Sequence, residues 1–152
     1  MHRNHVVKAG AAALGTTLAL AMAQVATAAA PHAGTAATLP KVSVTIIGRT
    51  KTLLKTETVQ TTSGSITRGG APAGKCLATS AQGALNVATH GNWKGKWYAS
   101  YHEYYITGIL GDTEITKKYY WGLYLNGKVS SKGACDVKLK TGDKLVFKVT
   151  KG

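Results

Sequence analysis

YYWGLYLNGKVSSKGACDVKLKTGDKLVFKV, at residues 119–149, contains two runs in which apolar side chains recur at every second position. Alternation at this period is typical of a strand with one buried face. It predicts a strand over Tyr119–Leu125 and a closing strand whose core face carries Leu145, Phe147 and Val149. We expect the large side chain of Trp121 to lie inside the core.

Two turn signals separate these strands. Asn126-Gly127 is a strong reversal signal, because both residues tolerate positive φ angles. Thr141-Gly142-Asp143 forms the second signal, where a short polar side chain can bond to nearby backbone. The residues between the turns carry a cysteine and predict one short strand, Val137–Leu139.

Upstream, the sequence predicts a hairpin and then a helix. Lys41–Gly48 alternates apolar and polar residues, and Thr50–Thr61 is rich in β-favouring threonine. Thr62–Gly74 is rich in Gly, Ser and Pro and predicts a loop. Ser80–His90 places apolar residues at spacings of three and four, the pattern of a narrow helical stripe.

This order of elements predicts an α+β fold. A single helix can cover only one face of a sheet. We therefore expect a β-grasp-like mixed sheet with an N-terminal hairpin, one packed helix and a C-terminal set of strands. A small all-β sandwich is the alternative.

The first residues have the layout of a secretory signal peptide, with a basic start, an apolar run and an A-x-A site. We expect a signal peptide over residues 1–28, with cleavage after Ala28 or as late as Ala30. A membrane anchor is the alternative, but the run is only marginally long enough to span a bilayer. A flexible leader over 29–40 and one domain over 41–152 would follow, in a secreted protein that does not span the membrane.

The chain has two cysteines, Cys76 and Cys135. Export favours their oxidation. A disulfide would close a loop of about 60 residues and stabilise the fold by about 4 kcal/mol. The alternative is a thiol nucleophile with His90 or His102 as its base.

The chain is strongly basic, with 19 Lys and Arg against 6 Asp and Glu. Loss of Arg3 and Lys8 with the signal peptide leaves 17 basic side chains and a formal charge of +11. Such a charge favours polyanions outside a cell. Lysines spread over strands also serve solubility and protect sheet edges, so the charge alone names no partner.

The turn-bearing segment resembles the DUF4430 family. W-G-x-Y-L-N-G-K over Trp121–Lys128, G-A-C over Gly133–Cys135 and L-x-x-G-D-x-L-x-F over Leu139–Phe147 carry the resemblance. The residues given a structural role in this motif are Trp121, Asn126, Gly127, Gly133, Gly142 and Asp143.

The resemblance implies a fold related to β-grasp modules and to the C-terminal domain of transcobalamin and intrinsic factor. In those carriers the domain caps cobalamin against a separate helical barrel. This chain has no room for such a barrel, so we do not expect cobalamin binding. The resemblance to stand-alone, exported bacterial members implies a secreted module.

Every Trp and Tyr of the chain lies between residues 93 and 124. Exposed aromatic rings offer flat contact faces for sugars, peptides or ring ligands, and lysines add charge. The predicted ligand-binding residues are Trp93, Lys94, Lys96, Trp97, Tyr98, Tyr101 and Tyr104. Of these, we expect Trp93, Trp97, Tyr98 and Tyr101 at the surface, because Gly, Lys and Ser interrupt them.

The expected partners are an anionic envelope polymer, a glycan or a partner protein. Aromatic residues interleaved with lysines also resemble a platform for single-stranded nucleic acid, but we expect no specific nucleic-acid binding. An extracellular protein that assembles through sheet edges is a second hypothesis.

The sequence shows no set of catalytic or metal-binding residues. His90, His102 and Glu103 match no common ligand spacing, so we expect no metal and no cofactor. Glu103, Asp112 and Glu114 are the acids of a hydrolase alternative. Ser100 and His102 have no nucleophile-elbow sequence around them. We therefore predict a non-enzymatic protein.

Overall fold

The computed structural model describes residues 38–68, 74–113, 116 and 118–152. They fall within one compact unit, Ala36–Gly152. The signal peptide expected over 1–28 and most of the leader expected over 29–40 lie outside the described residues. Among the described residues, no helix is long and apolar enough to cross a membrane.

The described residues form nine strands and one α-helix. The strands are β1 (Lys41–Ile47), β2 (Thr52–Gln60), β3 (Ser65–Thr67), β4 (Lys75–Leu77), β5 (Trp93–Tyr98), β6 (Glu103–Ile109), β7 (Tyr119–Leu125), β8 (Lys128–Val129) and β9 (Lys144–Lys151). The helix is α1 (Ala81–Ala88), and a 3₁₀ turn covers Ala99–Tyr101.

The main sheet has five strands in the order β2-β1-β9-β7-β8. The first and last long strands, β1 and β9, lie side by side in parallel, and the other pairs are antiparallel. Strands β3 and β4 form a second small sheet, and β5 and β6 form a third. The predicted α+β class, with one helix and a dominant mixed sheet, is confirmed.

Alternation in the sequence produces the core face of this sheet. Val42, Val44 and Ile46 of β1 are buried, as are Leu145 and Phe147 of β9. Each of these positions is two residues from the next, so the side chains point to one face. The prediction for β9, including Val149, is confirmed.

The helix packs closely because its residues are small. Ser80 caps it, with its hydroxyl accepting from the Gly83 N–H at 3.3 Å. A Cβ atom at Gly83 would lie 2.0 Å from the Ala78 carbonyl oxygen, so only glycine fits there. The helix predicted to reach His90 ends at Ala88, and His90 and Gly91 then take left-handed φ angles of 50° and 76°.

Two local predictions were wrong. The short strand predicted over Val137–Leu139 is an isolated bridge in which Lys138 pairs with Ser80. The loop predicted over Thr62–Gly74 contains β3, which pairs with β4. Its three residues are too few for a periodic signal, and the strand forms by pairing with β4 about ten residues further along the chain.

The predicted disulfide joins Cys76 of β4 to Cys135 in the segment between β8 and β9. The two Cα atoms lie 5.0 Å apart across a sequence separation of 59. The bridge ties the chain ahead of the helix to the chain leading into the last strand.

Candidate functional site

The predicted ligand-binding residues lie on the hairpin of β5 and β6. Trp97 pairs with Tyr104, and Lys96 pairs with Tyr105. Since directly paired residues of antiparallel strands point the same way, the hairpin has two distinct faces. Lys94 and Lys96 are exposed on the outer face.

The inner face of the hairpin forms part of the core. Trp93 is only 2% exposed, and Tyr104 makes edge-on ring contacts with Trp93 at 5.2 Å and with Trp97 at 4.9 Å. The Trp93 indole N–H donates to Asn86 Oδ1 of the helix at 2.9 Å. The expectation of a surface Trp93 was therefore wrong, because the ring anchors the hairpin to the helix.

Tyr104 and Trp97 are also more enclosed than expected. The Tyr104 hydroxyl accepts from the Arg68 backbone N–H at 2.7 Å and donates to the Gly74 carbonyl at 2.8 Å. Trp97 is half-buried, and a Cβ atom at Gly74 would lie 2.0 Å from its ring. Both rings therefore pack against other parts of the protein. The expectation of a surface Trp97 was wrong, because its ring packs against Tyr104 and Gly74.

The outer face carries a tyrosine hollow, a concave region of about 280 Å³ lined by Tyr98, Tyr101, Glu103, Tyr104 and Tyr105. Tyr101 is 73% exposed, and Tyr98 and Tyr105 are also exposed. The Lys96 Nζ atom lies 5.3 Å from the centre of the Tyr98 ring. The surface positions expected for Tyr98 and Tyr101 are thus found.

Tyr105 belongs to this hollow, although the sequence analysis did not single it out. Its ring meets that of Tyr98 edge-on at 6.4 Å. The alternation along β6 could have identified Tyr105, because adjacent residues of a strand, here Tyr104 and Tyr105, point to opposite faces. If the Tyr104 ring lies in the core, the Tyr105 ring must therefore lie at the surface.

Glu103 lies at the edge of the hollow with its carboxylate directed at the chain around the disulfide. Its oxygens accept from the Cys135 N–H at 3.0 and 3.1 Å, and Oε1 accepts from the Tyr104 N–H at 3.0 Å. A Cβ atom at Gly133 would lie 2.0 Å from the carboxylate, which explains the glycine of the G-A-C motif. Burial raises the pKa of Glu103 above its ordinary value of 4.5, and hydrogen bonds from the backbone of Cys135, Tyr104 and Asp136 oppose the rise.

The geometry gives no support to the hydrolase alternative. Glu103 begins β6 and Asp112 follows its end, so the strand between them spans about 20 Å. Paired carboxylates of glycosidases stand about 5–10 Å apart. Glu114, the third acid of that alternative, lies outside the described residues.

The motif residues hold the two turns of the C-terminal region against each other. Asn126 and Gly127 have φ angles of 52° and 81°, as the reversal requires. The Asn126 side chain donates to Asp143 Oδ1 at 2.9 Å and accepts from the Lys144 N–H at 2.9 Å. Asp143 Oδ2 in turn accepts from the Lys140 N–H at 2.8 Å. Trp121 is buried, as predicted.

Comparisons with known proteins agree with the sequence motif. Residues 80–151 match DUF4430, described as a domain of unknown function. No curated protein matches the chain.

Two solved structures share the fold. A protein from Ruminococcus gnavus ATCC 29149, for which metal binding has been suggested, is 14% identical with a TM-score of 0.51, over 74% of this chain and 98% of that one. Haptocorrin, solved in complex with Cbi, is 18% identical with a TM-score of 0.52, over 74% of this chain and 25% of that one. The chain therefore corresponds to about a quarter of haptocorrin.

Proposed function

We propose that this chain, whose residues 80–151 form a DUF4430 domain, is a secreted, non-catalytic binding module. The tyrosine hollow is the observation that carries the proposal. It combines exposed rings with nearby lysine on a rigid hairpin, as ligand-binding surfaces do. The signal-peptide pattern over 1–28 and the disulfide support an extracellular location.

The proposed architecture is a β-grasp domain over residues 41–152. The parallel pair β1–β9 at the centre, flanked by β2 and β7, supports it, as does the single helix beside the sheet. Although the family match begins at residue 80, β1 lies between β2 and β9 in the same sheet. This strand order supports a domain that includes the N-terminal hairpin.

The proposed ligand is a glycan with anionic groups, as in an envelope polymer. Sugar rings stack on tyrosine faces, and the Lys96 ammonium beside Tyr98 favours a negative substituent. Without Arg3 and Lys8 of the signal peptide, 17 basic and 6 acidic side chains give the mature chain a formal charge of +11, which attracts such a polymer at long range.

The test is calorimetric titration of the mature protein with neutral and uronate-bearing oligosaccharides. Tyr101→Ala should weaken binding about ten-fold, since loss of one stacked ring costs about 1–1.5 kcal/mol. Tyr120→Ala removes an exposed tyrosine outside the hollow and should leave binding unchanged. Absence of any binding tighter than millimolar would count against the proposal.

The ligands of the two structural relatives are weaker guides. Among the described residues, no group of three or more His, Cys, Asp or Glu side chains could hold a metal, so metal binding gains no support there. Binding of a cobalamin-like ligand is not proposed, because the chain matches only a quarter of haptocorrin. Assembly through sheet edges stays a prediction, which sedimentation at high concentration tests.

A further inference from the structure

A second concave surface lies between two strands that do not pair. This edge groove, about 230 Å³, runs between β6 and β7, and its lining includes Tyr105, Ile106, Trp121, Gly122 and buried Phe147. Strand β6 belongs to the small sheet with β5, whereas β7 belongs to the main sheet. Each strand therefore presents one backbone edge toward this region.

Among the described residues, the outer edge of β7 has few backbone partners. At its start, the Tyr119 N–H donates to the Thr116 carbonyl at 3.0 Å. Strand β8 covers only Tyr124 and Leu125, and the Ser130 N–H then donates to the Leu123 carbonyl at 2.8 Å. Backbone groups two residues apart point the same way, so the N–H and C=O of Trp121 share this edge. No strand of the described ranges pairs with the edge between Tyr119 and Leu123.

A buried donor in the same place also lacks a partner. The indole Nε1 of Trp121 is enclosed, and no described group accepts its hydrogen bond. A buried polar group without a partner is destabilising, so native proteins seldom leave one unless something else satisfies it. Trp121 thus lines the groove, and its indole N–H has no hydrogen-bond acceptor among the described residues.

The composition of the two sheet edges differs. At the far edge of the main sheet, β2 carries Lys55 and Glu57, and charges of this kind prevent pairing with another chain. The sequence of β7, YYWGLYL, contains no charged residue. Its edge therefore lacks the usual protection against an added strand.

Lysines border the groove at one end. A neighbouring cavity of about 570 Å³ shares Val129, Ser130 and Lys132 with it. Lys128 and Lys138 also line that cavity, whereas Asp136 is its one acidic lining residue. The surface that continues from the groove is therefore basic and would attract acidic side chains.

We propose that the edge groove binds an extended, acidic segment of a partner polypeptide as an added strand on β7. The free backbone edge favours a polypeptide, because only a peptide backbone offers N–H and C=O groups at strand spacing. Apolar side chains of the segment would face the exposed Tyr105 and Val129, which also line the groove. Its acidic residues would reach Lys128, Lys132 and Lys138. The groove shares Tyr104 and Tyr105 with the tyrosine hollow. Strand addition uses the backbone edge of β7 and does not use Tyr98 or Tyr101, so it does not depend on the ligand of the hollow.

The test uses the oxidised mature protein and the synthetic peptide acetyl-Glu-Val-Asp-Ile-Glu-Val-Asp-amide. Binding should shift the backbone amide signals of Trp121 and Leu123 and slow their hydrogen exchange at least ten-fold. The same peptide methylated at alternate backbone nitrogens keeps its charge but cannot pair, and it should bind at least ten-fold more weakly.

Two sets of lysine substitutions test whether the effect of a lost charge depends on where the lysines lie. Substituting Gln at Lys128, Lys132 and Lys138 together should weaken peptide binding at least ten-fold, while the exposed pair Lys51→Gln and Lys55→Gln on the far side of the sheet should not. Tyr101→Ala should leave peptide binding intact, which keeps this result independent of the hollow.

Three results would overturn the proposal. They are equal binding of the methylated peptide, equally tight binding of inorganic polyphosphate through the same lysines, and no binding of the peptide. The second result would assign the surface to a simple polyanion.

Discussion

Glu103 shows how one side chain can connect two segments of the chain beside a candidate site. Its carboxylate connects the start of β6 to the backbone of Cys135, and Gly133 leaves the space for it. A sequence search for acids identifies the residue as a potential proton donor. Its backbone partners instead make it a link between the hollow and the disulfide segment.

The raised pKa of Glu103 makes stability depend on pH. Because the folded state holds this proton more tightly than the unfolded chain, its contribution is complete below the ordinary value of 4.5 and is lost as pH rises through the folded pKa. Glu103→Gln keeps an acceptor but does not titrate. Its unfolding free energy relative to wild type should therefore increase with pH above 4.5 and then level off.

Urea unfolding at a series of pH values measures this difference. Glu57→Gln, which changes an exposed acid on β2, is the matched control and should show no such rise. A difference, variant minus wild type, that decreases as pH rises would contradict the assignment.

At the level of the elements, alternation of apolar and polar residues correctly predicts which face of a strand is buried. The buried faces of β1, β7 and β9 follow directly from it. The same rule held for β5, where Trp93, Gly95 and Trp97 share one face and the lysines share the other. Treating Gly and Lys as signs of exposure, without counting the period, put Trp93 on the wrong side.

Other local features were not predictable from the sequence. Strand β3 depends on a partner ten residues along the chain and on Ile66, which packs against the core. The tyrosine hollow depends on the 3₁₀ turn at Ala99–Tyr101, which ends at His102 with a left-handed φ of 50°. No short sequence pattern specifies such a turn, because tertiary contacts decide its conformation.

The paired turns predict an energetic coupling between Asn126 and Asp143. Asn126→Gly keeps the positive φ accessible while removing the side-chain bonds, and Asp143→Ala removes their partner. Each change should cost about 1 kcal/mol, and the double variant should cost less than the sum by about 0.5–1 kcal/mol.

Denaturant unfolding of the four proteins of this cycle provides the measurement. Thr141→Ala with Asn126→Gly serves as a comparison cycle within the same region, because Thr141 bonds to Lys41 and not to Asn126. Strict additivity for Asn126 and Asp143 would mean that the two turns are stabilised separately.

For the molecule as a whole, the disulfide supplements a small hydrophobic core. The bridge closes a loop set by a sequence separation of 59. By lowering the conformational entropy of the unfolded chain, it should raise the free energy of unfolding by about 4 kcal/mol. Reduction, or the pair Cys76→Ser and Cys135→Ser, should lower the unfolding free energy by roughly this amount. Denaturant unfolding with and without reductant measures this difference, and thiol titration confirms the state of the cysteines. One reactive thiol per oxidised chain would refute the bridge.

The parallel pair at the centre of the sheet has a consequence for how the chain reaches its native state. Ser43 of β1 lies opposite Lys144 of β9, so the middle of the sheet joins residues about one hundred positions apart. Contacts this distant raise the contact order and slow folding, because a long loop must close before they form. During synthesis from the N-terminus, the β1–β2 hairpin can form early. The sheet can be completed only after β9 has been made, so its central strand pair forms last.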